Sequence, residues 1–437
     1  MVFSLSAFLF HKASGSLSVS KLNIVSWVFY YHLVLLCFVG INLGMFGTYH
    51  YTMSRASSGS LSLAYTAVCY VLITMPLSMI IVQKLFSKTG IRTKLFHYYQ
   101  KSVLPLQSVS DSAQITFWLL MTGISCLATV YVYAVTGVFP FIALITGSDA
   151  YATLRQDAAS NFGGNIYVRN FLALILSQIV SYVALAYMVM KRGVLYKLWF
   201  GMTCLVAVMA ITYSGEKGPL LSYIIGCFFV LSIARGGFKK RTLLLVGFTI
   251  SSLIMLIYIS VGQLSFALNS GPIGRIVMTQ ISGLPLYFDY FPEIAPFLRG
   301  ASFPDWLSSL FGLEHVRPAR LIMTYVNPRG VAQGRAGVAN TLFIGEAWAN
   351  FGWFGFFAAP LIVGAVIQFI HNLFLSLPKS PLYIAAMVYF MLRMPITGGF
   401  VDFIWNSGWF FLFLLLSSSL FSRSLFIGAK RSYYKKV

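Results

Sequence analysis

Apolar residues in this chain come in long unbroken runs rather than in the alternating or helical-face patterns of soluble domains. Ten runs are almost free of charge: 23–46, 62–83, 114–136, 170–190, 198–213, 218–234, 242–265, 353–373, 380–397 and 403–422. A helix needs about 20 apolar residues to cross a bilayer. The pattern therefore predicts an all-α polytopic membrane protein with about ten transmembrane helices, in a range of about 10–12. The runs 198–213 and 218–234 are short, and 380–397 carries Arg393 near its end. The apolar start, residues 1–10, is too short to span and suits an interfacial position. It lacks a cationic region and a small-residue cleavage site, so no cleaved leader is expected.

Composition agrees with a lipid solvent. Of the 437 residues 58% are hydrophobic and only 9% charged, against about a quarter in soluble domains. The net charge of +21 would suggest nucleic acid in a soluble protein, but here the cations fall in short loops between spans and read as topology signals. Cys37, Cys69, Cys126, Cys204 and Cys227 all lie in apolar runs and read as small hydrophobes, not as a disulfide framework.

The charged loops alternate. One set, from Lys12 and Lys21 through Lys84–Lys101, Lys191–Lys197, Arg235–Arg241 and Lys379 to the tail at 423–436, holds 20 of the 31 cations and one acid, Asp111. The positive-inside rule puts this set and both termini in the cytoplasm. The chain then divides into an N-terminal bundle at 1–265 with an outward segment at 137–169, an outward cap of short helices at 266–352, and C-terminal spans with a basic tail at 353–437.

The remaining eleven cations need a reason, because external loops normally avoid them. Arginine's planar fork suits phosphate, so Arg155, Arg320, Arg329 and Arg335 are candidate ligands for an anion. Lys217 sits with Glu216 in the glycine-bounded turn Ser214–Gly218, which opens the next helix; helix N-termini attract anions. Glu346 interrupts the apolar stretch NTLFIGEAWANFGWFG. A carboxylate near membrane depth is costly and suits a general base, or a bridge to Arg329 or Arg335. Asp289, Asp402 and His315 are secondary candidates. No metal-ligand spacing or hydrolase motif occurs, so no metal or cofactor is expected.

Three of these features, in order, resemble the Wzy-type O-antigen polymerases, which polymerise oligosaccharide repeat units. They are Arg155 after the third span, the Ser-Gly-x-basic-Gly turn at Ser214–Gly218, and the run of Gly345, Glu346, Asn350, Phe351, Gly352 and Gly355 after the large loop. The second motif often carries Arg where this chain has Lys217. The resemblance implies a GT-C-like architecture and a metal-independent glycosyltransferase in the bacterial inner membrane, active on its periplasmic face. Implied partners are donor and acceptor glycans on undecaprenyl pyrophosphate, the membrane lipid and a chain-length regulator protein. Glu346, then Glu216, is the expected base or acceptor positioner. An O-antigen ligase and a flippase of lipid-linked oligosaccharides are the alternatives.

Overall fold

The computed structural model describes the chain except residues 87–89, 106–110, 138–157, 159–161, 260–266, 270, 334–335 and 419–437, and the side chains at 254, 257 and 258. The described residues form helices and no strand. This is the expected outcome for runs whose backbone polar groups must be satisfied within the segment. Among the described residues eight helices are long and apolar enough to cross a membrane, making this a polytopic helical membrane protein. They are α2 (Ile24–Met45), α3 (Ser58–Phe86), α5 (Asp111–Thr136), α6 (Val168–Lys191), α7 (Val194–Thr212), α8 (Lys217–Ala234), α13 (Phe343–Ser376) and α15 (Val401–Ser418). Of these, α6 is the most enclosed.

The other helices are α1 (Val2–Ser14), α4 (Ile91–Gln100), α9 (Lys240–Ile259), α10 (Gly271–Val277), α11 (Leu284–Tyr290), α12 (Pro318–Val326) and α14 (Pro381–Leu392). Two expectations change here. Rather than lying flat, α1 runs beside α2, with Phe3 stacked on Phe38 and Phe10 against Phe29. The run 380–397 is not one spanning helix. α14 has 12 residues and rises about 18 Å, short of the roughly 30 Å of a hydrocarbon core. The break follows from the sequence, because Pro395 has no N–H to donate and Gly398–Gly399 favour turns.

Backbone contacts sort the loops into two ends. Leu104 N donates to Lys379 O at 3.0 Å, Phe238 N to Ser20 O at 3.2 Å, and Lys191 pairs with Asp111 at 2.6 Å. Lys379 is buried at this end and donates to the carbonyls of Tyr99 and Lys101 at 3.2 and 2.8 Å. The basic loops therefore do gather on one face of the bundle. At the opposite face Ser57 donates to Asp289, Arg55 to Val326 O, and Phe343 N to Ile396 O at 2.9 Å.

Candidate functional site

Glu346 lies in the first turn of α13, where the free N–H groups of a helix favour negative charge. It is partly buried. One carboxylate oxygen, Oε2, accepts the Val401 N–H at 2.9 Å, and the Phe400 amide and Ser302 hydroxyl lie beside the group. A Cβ at Gly399 would come within 2.4 Å of that same oxygen, so a larger residue there would push the carboxylate out from under the turn. Gly399→Ala is expected to break the Val401 bond and cost about 1–3 kcal/mol of stability, read as a lower melting temperature. An unchanged melting curve would show that the turn adjusts freely.

One turn further along α13, buried Asn350 clamps the loop before it. Its Nδ2 donates to Ser302 Oγ at 2.7 Å and to Glu346 O at 2.8 Å, while its Oδ1 accepts the Gly300 N–H at 3.1 Å. Gly352 then bends the helix at φ 56°, ψ −135°, a region closed to residues with a Cβ, against the ring of Phe297. Trp348 fixes the other side by donating to Phe291 O at 2.9 Å. Tyr287 is fully buried near the carboxylate; burial first, and then the negative charge of Glu346, holds its phenol well above the ordinary range, so it stays neutral.

Next to this corner is a cavity of about 470 Å³, within the range of small-molecule sites. Lys217, Arg275 and Arg393 line it, and no described carboxylate does. The break after α14 builds one wall, through Arg393, Met394 and Thr397. Irregular backbone at membrane depth is tolerated where it is buried in protein or lines a cavity, and an arginine about 18 Å along the bundle is costly without a role. The same segment continues through Ile396 and Gly399 to Glu346, which touches it from the other side. Glu346 itself does not line the cavity.

The opposite wall comes from α2, through Trp27, Tyr31, His32 and Leu36. In an α-helix at about 100° per residue, Trp27 and Leu36 would point in opposite directions. Val28–Phe38 is instead π-helical. Its i→i+5 turns advance each residue by roughly 80°, returning Leu36 to within about 20° of Trp27. The wider turn is what brings these four side chains to one face, and such stretches recur at functional sites.

The other expected residues fall differently. Arg155 and Arg335 lie outside the described residues. Arg329 is exposed on the short helix Pro328–Ala332 and makes no ion pair with Glu346; backbone amides serve the carboxylate instead. Arg320 is spent on the carbonyls of Ala336 and Gly337, at 3.1 and 3.2 Å. Asp289 accepts from the Ser57 N–H and hydroxyl at 2.8 and 2.7 Å, and His315 Nδ1 donates to Phe303 O at 2.7 Å, so both tie loops down. Glu216 precedes the first turn of α8 and is not on the cavity wall, whereas Lys217, the first residue of that helix, is. Gly215 takes φ 70° in this turn, while Gly218 is simply helical. Asp402 is exposed, close enough to Glu346 for the two carboxylates to repel each other and near Arg317. Arg275 and Arg393 belong to the outward set of cations that the sequence assigns to an anionic ligand, whereas His32 is missed there, although an ionisable residue inside an apolar run is such a signal. No protein-family model matches this chain, and neither a curated protein nor a solved structure is similar to it.

Proposed function

We propose that the protein is a membrane glycosyltransferase that extends surface polysaccharide from undecaprenyl-pyrophosphate-linked repeat units, as the Wzy-type resemblance implies. The observation that carries this reading is the cavity lined by Lys217, Arg275 and Arg393 with no described carboxylate, sharing a wall with Glu346. Three cations lining one cavity suit a pyrophosphate, and they stabilise the negative charge that develops as it departs. In the step proposed, the acceptor hydroxyl oxygen bonds to the anomeric carbon of the donor sugar. The bond from that carbon to the pyrophosphate oxygen breaks, its electron pair leaves with the pyrophosphate, and the hydroxyl proton goes to a base. Glu346, behind the shared segment, is the candidate for that base, reached through a water. In this reading the cavity end faces the periplasm and the basic end the cytoplasm.

Two tests follow. Cells lacking the protein should carry single repeats on their surface lipid, and a gel of surface polysaccharide should lose its ladder. Bare core with polymer left on the carrier would indicate a ligase, and loss of repeats from the outer leaflet a flippase. A reporter active only in the periplasm should work when fused near residue 310 and stay silent near residue 95. The reverse pattern would overturn the orientation and the site together.

A further inference from the structure

The π-helical wall of the cavity carries polar groups that the pyrophosphate reading does not use. His32 is 5% exposed, lines the cavity, and has no hydrogen-bond partner for either ring nitrogen among the described residues. Trp27, on the same wall, also leaves its indole N–H without a partner. Buried polar groups are nearly always satisfied, so two such side chains on one cavity wall point to a ligand that completes them once their rings turn towards it. An anion offers only acceptors, whereas a neutral imidazole presents one donor and one acceptor. A hydroxyl answers both. Beside His32, Trp27 and Tyr31 stack with ring centroids 4.5 Å apart and planes 11° apart, which puts an aromatic pair on the same cavity wall. A hexose-like ring has matching chemistry, with an apolar face and hydroxyl edges.

From this geometry we infer that Trp27, Tyr31 and His32 form a sugar subsite that recognises the ring attached to the anion held by Lys217, Arg275 and Arg393. The inference rests on the functional reading above and adds the residues that recognise sugar rather than phosphate. It predicts that His32 separates glycosylated from bare carrier lipid, and that the cations do not.

The experiment measures binding of two lipids to the full-length protein in detergent: undecaprenyl pyrophosphate, and the lipid-linked repeat extracted from cells lacking the protein. His32→Leu should weaken binding of the repeat by about tenfold and leave the bare carrier unchanged, as expected for one lost hydrogen-bonding group. His32→Gln keeps a donor and an acceptor and should bind the repeat nearly as wild type does, which separates ligand contact from folding. Arg393→Ala should weaken both lipids alike. Equal loss of both lipids in His32→Leu, or loss of neither, as when only water occupies the subsite, overturns the sugar subsite while the pyrophosphate site stands. Failure of the wild type to bind either lipid overturns the functional reading and this one with it.

Discussion

Arg393→Ala is expected to reduce chain extension by about a hundredfold or more, the scale seen when one stabilising donor to a developing negative charge is removed. The folded yield should hardly change. Arg393 is exposed towards the cavity, and its side-chain hydrogen bond is a long one, 3.4 Å to Gln178 Oε1. Removing it costs the buried Gln178 oxygen only this long bond, so a small fall in melting temperature is expected. Arg393→Lys should recover only part of the rate, because an ammonium keeps the charge and loses the two-point fork. Polymer length on a gel, read alongside thermal melting of the extracted protein, checks the pair. Normal ladders in Arg393→Ala would remove the cavity from the mechanism. Short ladders with a collapsed melting temperature would make the residue structural.

Glu346→Gln tests the other half of the site. The amide oxygen still accepts the Val401 N–H that Glu346 Oε2 now takes at 2.9 Å, so the turn at Gly399 should hold. What is lost is the proton acceptor, and general-base contributions run to about a hundredfold to ten-thousandfold. The expected outcome is a protein that melts like wild type, still binds the bare carrier lipid and leaves repeats unjoined. If Glu346→Gln extends chains at the normal rate, Glu346 only braces the 396–402 turn, and the base lies elsewhere.

Much of this arrangement is visible in the chain itself. Spans such as α3 and α6 stand out because charge-free runs of this length have few other uses, and the basic loops mark one end because they are short and lack acids. Glu346, a lone charge in an apolar stretch, and the Glu216–Lys217 pair in its glycine-bounded turn stand out for the opposite reason. Their surroundings are less legible. Lys217, Arg275 and Arg393 come from three separate segments, and no local pattern records that they meet. The π turns of α2 leave no trace either, because a run that is apolar all round looks the same at either helical pitch. The expected bridge between Glu346 and Arg329 fails because backbone amides from the broken segment reach the carboxylate, and neighbouring charges in sequence do not reveal such partners. The break has a local cause in Pro395 and Gly398–Gly399, but the apolar run around it reads as a span and hides it.

Whether the cation-lined cavity and Glu346 join lipid-linked repeats is read most directly with purified protein in lipid nanodiscs, supplied with single lipid-linked repeats extracted from cells that lack it. Lipid-linked dimers and longer chains are expected, with one undecaprenyl pyrophosphate released per bond formed, and almost no product from Arg393→Ala or Glu346→Gln. Repeats that stay single with folded wild-type protein, or chains formed equally well by both variants, would contradict that role.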